Sequence, residues 1–513
     1  MTNHRSLPWS LALSCLITAI VGCASAPLEF PKSPSSALTD TGDTSLAAAS
    51  VQWIGDEAND NGFYPLANGL DAFGARLTLI DRAERSIDAQ YFLMKPDQAG
   101  LVFGSKLLQA ADRGVRVRLL LDDIFTTVDD RAFVLMNEHP NIEVRIFNPI
   151  ARQGVYAVNY IGNFRLANRR MHNKSFTVDN QVSVVGGRNI AVEYFQLESS
   201  GEFIDFDMLC AGPVVKEISA SFDTYWNHSL AVPMEALYDH FDVNELEALS
   251  RRIGSQMQES GESIYGLAIR TELMQKLNSG QVRPFNAAAR LFVDDPQKLL
   301  EKVGIEHKVV ATNIVAALNN ASREAIIYTP YLIPGKNGVE ILRRIAAKGV
   351  HVVIVTNSLA TNNHTAVHSA YSSYRKRLLK AGVDLWEARA DAAKVVHVDG
   401  TSEREYLTLH SKGIIIDRRQ TFVGSLNLDP RSIDINTEMG VMIDSEALGQ
   451  ILAERSIERI PEMAYQLKLD ENNRIRWHAV IDGHEIIETK EPQTSAWRRF
   501  QAWLLKIAPE KQL

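Results

Sequence analysis

Two short runs of this sequence carry a histidine, a lysine and an aspartate at one fixed spacing: His172-Asn173-Lys174-Ser175-Phe176-Thr177-Val178-Asp179 and His410-Ser411-Lys412-Gly413-Ile414-Ile415-Ile416-Asp417. Each is followed by a Gly/Asn cluster, Gly186-Gly187-Arg188-Asn189 and Gly424-Ser425-Leu426-Asn427, and the His-to-Asn interval is 17 residues in both (172 to 189, 410 to 427). On a strand, side chains two apart share a face, so each run presents an imidazole beside an ammonium. Asp179 and Asp417 lie seven residues past their histidines, on the opposite face of a straight strand. They read as structural, holding the strand or its neighbours.

Such a set suits a phosphodiester. Its negative charge repels nucleophiles and its alkoxide leaves poorly, so cleavage needs cations at the phosphoryl oxygens and a proton for the leaving oxygen. One imidazole would attack phosphorus and form a phosphohistidine, while the other protonates the leaving group and then deprotonates the incoming hydroxyl. The residues alone do not say which histidine does which. Lys174 and Lys412 would neutralise the phosphoryl oxygens, with Asn189 and Asn427 donating hydrogen bonds. No metal or other cofactor is expected, because His-x-Lys puts a cation where a second ligand should stand and neither His-Glu-x-x-His nor paired cysteines occur.

The elements around the motifs also come twice. Leu70 to Arg85 has helical spacing, Ser86 to Phe92 alternates like a strand, a helix follows over about 100–113, and Val115 to Asp122 reads as a half-buried strand opened by Gly114. The same order returns as the strand Glu324 to Tyr331, a helix to about Lys348, and the strand Val350 to Val355 after Gly349. From strand tyrosine to motif histidine the distances are 81 residues (91 to 172) and 79 residues (331 to 410), so register holds across a whole lobe. An α/β fold is predicted, with two homologous lobes, each a mixed, mainly parallel sheet flanked by helices, and one active site between them.

Both motifs resemble the paired signatures of the phospholipase D superfamily, over about residues 65 to 470. The neighbouring text, Asn168-Arg169-Arg170-Met171-His172, Thr356-Asn357-Ser358-Leu359-Ala360 and Asp429-Pro430-Arg431-Ser432, is similar to the bacterial cardiolipin synthases of the C type. The resemblance implies His172 as nucleophile and His410 as acid and base. It also implies an orienting carboxylate downstream of each motif, for which Asp207 and Glu438 are the candidates, a surface salt bridge being the alternative. Phospholipids are the implied substrates. Phosphatidyl transfer giving cardiolipin leads; hydrolysis to phosphatidic acid, a superfamily nuclease and a non-catalytic lipid-binding module stay open.

With 54 Lys plus Arg against 62 Asp plus Glu, the chain is acidic, and no nucleic-acid partner is expected. Residues 1–22, with His4, Arg5 and the apolar run Leu7 to Ile20, read as a signal peptide. The ending Ile20-Val21-Gly22-Cys23 resembles a lipobox, which implies cleavage before Cys23 and a lipid on it. That would place the protein on the cell envelope, facing the periplasm in a Gram-negative host. Residues 23–64 read as a tether, 65–235 as lobe 1, 236–290 as a linker, 291–470 as lobe 2 and 471–513 as a C-terminal extension. Its Trp497-to-Ile507 stretch, basic and Trp-rich, suits a helix in a membrane interface or one packed on the protein's own lobe. Cys210 reads as an inert buried thiol. Arg165, Arg169 and Arg170 read as a phosphate- or head-group-binding cluster or a solvated face, and His364 and His368 as pocket-lining or ordinary positions. The oligomeric state is not legible.

Overall fold

The computed structural model describes residues 26–55, 60–123, 130–152, 159–160, 162–197, 202–238, 262–300, 304–392 and 407–507, with a few single positions between 244 and 255. The signal segment and Cys23 lie outside the described residues. In the first half the strands are β1 (Asn61–Leu66), β2 (Ser86–Tyr91), β3 (Arg116–Asp122), β4 (Ile142–Phe147), β5 (Ser175–Val178), β6 (Val182–Gly186), β7 (Glu202–Ile204), β8 (Asp207–Ala211) and β9 (Ala231–Pro233). The second half supplies β10 (Phe285–Val293), β11 (Glu324–Tyr328), β12 (His351–Asn357), β13 (Asp384–Ala388), β14 (Leu407–Leu409), β15 (Gly413–Ile416), β16 (Gln420–Gly424), β17 (Met439–Asp444), β18 (Ala464–Leu469), β19 (Ile475–Ile481) and β20 (His484–Glu488).

Hydrogen-bonded neighbours run β9-β4-β3-β2-β5-β6-β8-β1 in lobe 1, cross from β1 to β10, and continue β10-β17-β16-β15-β11-β12-β13-β18-β19-β20 in lobe 2. The order reverses at the β1–β10 seam, so each strand of the lobe 1 sheet has its counterpart in lobe 2, which adds β19 and β20 at its edge. Phe63, Met208 and Cys210 of lobe 1 pack with Ala287, Val423, Met439 and Val441 of lobe 2 in one apolar cluster, which makes the seam a shared core. Cys210 is buried there as a free thiol and burial raises its pKa, in keeping with an inert role.

In the large sheet parallel pairing is confined to β2-β3-β4 and β11-β12-β13 and the remaining neighbours are antiparallel; β7 and β14 form a separate two-stranded parallel ribbon. The sheets are therefore mixed, and the expected parallel majority does not hold, because each motif strand returns as a hairpin (β5–β6, β15–β16) beside the parallel core. The helices that cover it have local causes. Asn68 caps Gly69–Arg82 through its side chain, and Asp97 caps Gln98–Asp112. Gly114 (φ 92°) and Gly349 (φ 88°) turn the chain from helix into β3 and β12 in a left-handed conformation that favours glycine.

Residues expected as a tether are laid against lobe 1 from Ala26 onward. Arg145 donates to Ser33 O (2.7 Å), Arg118 to Ser35 O (3.0 Å) and Asn180 to Leu38 O (3.0 Å), and Ser45–Ile54 is a helix. Buried arginines seeking carbonyls hold a segment whose own pattern showed no hydrophobic period. Lobe 2 begins with β10, inside the expected linker, and β19 and β20 carry its sheet past residue 470.

Candidate active site

The strands β5 and β15 start only at Ser175 and Gly413, so His172–Lys174 and His410–Lys412 stand just before them rather than on them. The backbone explains why. His172 N–H donates to Thr437 O (3.0 Å) and His410 N–H to Ile204 O (2.7 Å), so each motif histidine pairs with the opposite lobe. A Met171–Thr437 bridge and the parallel pair β14–β7 extend these contacts.

The residue after each acceptor carbonyl is an acid. Glu438 Oε2 lies 2.8 Å from His172 Nδ1, and Asp205 Oδ2 lies 2.5 Å from His410 Nδ1. The carboxylates are thus exchanged between lobes, and both are fully buried. Of the two acids expected to orient an imidazole, Glu438 meets one, that of the other lobe's motif, and Asp207 meets none. Asp207 Oδ2 receives Arg76 Nη2 (2.9 Å), and its Oδ1 accepts the Arg188 N–H (3.2 Å), in a buried network with Tyr91. Register decides between them: Gly186 faces Asp207 whereas Gly424 faces Gly440, so the counterpart of Glu438 is two residues before Asp207. A usable signal was the next helix, since both acids stand eight residues before its start (205 to Pro213, 438 to Glu446).

Aromatic rings wall both imidazoles. Phe203 stacks on His410 (5.0 Å, 10°), Tyr194 meets it edge-on (5.1 Å), and Phe92 meets His172 edge-on (5.0 Å). Lys174 Nζ donates to His172 O (2.7 Å), and Lys412 Nζ lies 2.7 Å from His410 Nδ1 and 3.2 Å from its Nε2. Asn189 Nδ2 donates to Tyr194 Oη (2.8 Å). Among the described residues the buried Asn189 Oδ1 and Asn427 Oδ1 have no hydrogen-bond partner.

Burial and shared charge set the protonation states. Burial, reinforced by Lys174, Lys412 and Arg431, pushes His172 well below its ordinary value. His410 falls to about 3 through burial and Lys412, with Asp205 opposing. Burial also lowers Lys174 to about 7 and Lys412 to about 8, although the acids pull the other way. Glu438 is lifted to about 7 by burial; for Asp205 burial is outweighed by Lys412 and His410, which hold it below the usual carboxylate range. A neutral imidazole that gives its Nδ1–H to a carboxylate carries its lone pair on Nε2, which at His410 lies within reach of the Lys412 ammonium. Two lysines made easier to deprotonate by burial are cations that an arriving anion would stabilise.

Asp179 and Asp417 stay out of this pocket. Asp179 accepts the backbone N–H groups of Glu84, Arg85 and Ser86 (2.7 to 3.0 Å), and Asp417 does the same for Ser322, Arg323 and Glu324 (2.7 to 3.2 Å). Each pins the turn entering β2 or β11 to its motif strand. Arg170 is buried, bound to Ala167 O and Asn148 O, and Arg169 reaches Lys298 O, which leaves only Arg165 exposed in that cluster. His368 is buried against Arg375 (3.1 Å), while His364 meets Tyr331 edge-on (5.5 Å).

The family model described as cardiolipin synthase, PLD-like domain, matches residues 77–226 and 314–459, one match for each motif-bearing lobe. This chain belongs to that family. It is 38% identical to cardiolipin synthase C of Escherichia coli (strain K12), over 91% of this chain and 99% of that protein. It is 30% identical to an uncharacterized protein of Helicobacter pylori (strain ATCC 700392 / 26695), over 96% of this chain and 97% of the other. Among solved structures, phosphatidylserine synthase of Haemophilus influenzae Rd KW20 superposes with a TM-score of 0.54 at 16% identity, covering 82% of this chain and 92% of that one. At that identity the likeness is one of fold, and it extends over both lobes.

Proposed function

We propose that this enzyme transfers a phosphatidyl group from one phospholipid to a hydroxyl of another, with cardiolipin as the product, through a phosphohistidine on His172. The observation that carries the reading is the exchange of carboxylates between lobes: each imidazole takes its orienting partner from the other half, so both histidines belong to one centre. The near full-length relationship to a cardiolipin synthase supplies the substrate class.

In the first step His172 Nε2 attacks phosphorus, the P–O bond to the leaving head group breaks, and His410 gives that alkoxide a proton. The phosphodiester anion raises the low pKa of His410 as it binds, which favours the acid form the step requires. In the second step neutral His410 takes the proton of the acceptor hydroxyl, whose oxygen displaces His172 from phosphorus. Lys174 and Lys412 offset the phosphoryl charge throughout.

Incubating the purified protein with labelled phosphatidylglycerol, with and without phosphatidylethanolamine and with chelator present, tests the reading. Cardiolipin supports it; phosphatidic acid would make water the acceptor, and no product would return the protein to a binding role. The same proposal includes cleavage before Cys23 and lipid attachment there, on the envelope. Incorporation of labelled acyl chain that Cys23→Ser abolishes is the expected result.

A further inference from the structure

Ala496–Leu504 is a helix capped by Ser495, whose hydroxyl accepts the Arg498 N–H, and it continues into a single turn of tighter helix, Leu505–Ile507. One face is fixed to the protein. Ser369 Oγ donates to Ala502 O, Arg498 Nη2 donates to Asn362 O (2.7 Å), and Ala502 is buried. The opposite face is not covered: Trp497 is 65% exposed, Phe500 47%, Trp503 63% and Leu504 51%. These positions fall three, three and one residues apart, which keeps them on one side of a helix. Their rings form a row, Trp497 against Phe500 (5.6 Å) and Phe500 against Trp503 (6.0 Å). Among the described residues no other tryptophan is classed as exposed.

From these contacts we infer that this helix lies in the interface of a phospholipid bilayer and holds the rim of the active site against it. The inference rests on the lipid substrate proposed above. Tryptophan with phenylalanine and leucine on one side, the half-buried Arg499 tied to Thr494 on another, and the exposed Lys506 at its end make the composition of a helix lying at the surface of an anionic bilayer. The helix is too short and too polar to span, and no described helix is long and apolar enough to cross a membrane. It is also joined to the rim of the pocket. Asn362 and Ser369 flank Asn363 and His364, which hold Tyr331 by a hydrogen bond (2.8 Å) and a ring contact. Tyr331 in turn precedes Leu332, whose backbone bridges Leu428, the residue after Asn427 of the second motif. A bilayer gripping the row would therefore be registered against the cleft that receives its lipids.

The full chain is tested with vesicles of phosphatidylglycerol and phosphatidylethanolamine whose acyl chains carry bromine as a short-range quencher. Tryptophan fluorescence is expected to be quenched, and Trp497→Phe/Trp503→Phe to remove that quenching while leaving vesicle binding in place. Trp497→Ser/Phe500→Ser/Trp503→Ser is expected to lower activity on vesicles roughly tenfold or more, since each buried ring contributes to partitioning, while activity on monomeric short-chain phosphatidylglycerol stays unchanged. Equal activity of the triple variant and wild type on vesicles would overturn the inference. So would quenching that survives in the double variant, or a concentration-dependent dimer that the triple variant abolishes. Loss of all activity on the short-chain lipid in the wild type would instead count against the catalytic reading, and the quenching result would still decide the fate of the helix.

Discussion

Glu438→Gln isolates the contribution of one exchanged carboxylate. Its Oε2 accepts from His172 Nδ1 at 2.8 Å and also receives the Ser425 hydroxyl, inside a fully buried pocket. An amide keeps the shape but removes the charge. A hydrogen bond to a charged group contributes roughly 1.5–3 kcal/mol, and each ~1.4 kcal/mol is tenfold in rate, which gives a loss of about 10 to 100-fold. The amide can also present its NH2 to Nδ1 and stabilise the tautomer that carries the proton on Nε2, where attack must occur; in a serine-protease triad the matching change costs about 10^4. A fall in kcat between those limits is expected. A second effect concerns pH. Glu438 raises Lys174, which stands at about 7, so removing it lowers Lys174 further and moves the alkaline limb of kcat/KM to lower pH. Stopped assays of product from labelled phosphatidylglycerol across pH, with thermal unfolding as a control of fold, measure both. A folded variant with wild-type kcat and an unmoved alkaline limb would refute the assignment.

Three further outcomes follow from the same geometry. Asp207→Asn strips the charge partner of the buried Arg76, so urea unfolding should show a loss of roughly 3–5 kcal/mol, while kcat per folded molecule stays near wild type. Gly187→Ala puts a Cβ 2.1 Å from Asp205 Oδ1, which must displace the carboxylate from His410; a fall in kcat of about tenfold or more is expected, as for loss of one charged hydrogen bond. For Asp417 burial is outweighed by the backbone N–H groups of Arg323, Ser322 and Glu324, which lower its pKa. Its stabilisation is therefore complete above the unfolded value of about 4 and lost as pH falls through the lower folded value. The difference in melting temperature between wild type and Asp417→Asn should shrink correspondingly in acid.

The His/Lys pairs were legible because covalent spacing carries them: His-x-Lys and the Gly/Asn cluster are local and repeat with one interval. Parallel units were legible for the same reason, as strand, helix, Gly, strand. What escaped was set by contacts between distant segments. Asp205 and Asp207 both precede or open β8 in an alternating run, and the pairing of Gly186 with Asp207 shows which one faces the other lobe. A two-residue offset keeps the side chain on the same face, so the alternation of one strand does not separate the two acids. Residues 26–54 looked like a tether because their pattern has no period, yet backbone carbonyls bound by Arg118 and Arg145, with a few scattered apolar side chains such as Leu28, Leu46 and Trp53 against the lobe 1 core, fasten them. The seam β1–β10 was likewise invisible, since β10 lies where composition suggested a linker.

The two halves of the site are related by duplication but are not equivalent, and the difference bears on which imidazole does what. Where lobe 2 has Ser425 donating to Glu438, lobe 1 has Gly187, whose missing side chain lets Asp205 approach. Asp205 is held ionised by Lys412, His410 and Arg188, while burial lifts Glu438 to about 7. An imidazolium forms more readily beside a full negative charge than beside a carboxyl that is half protonated near neutral pH. His410, facing Asp205, is thus the better proton carrier. His172, facing Glu438, is pushed down by burial and by Lys174, Lys412 and Arg431, so both imidazoles rest neutral and differ in the charge of the carboxylate beside them. That asymmetry in the neighbouring charge supports the proposal that His172 attacks and His410 moves the proton, the division that motif resemblance implies.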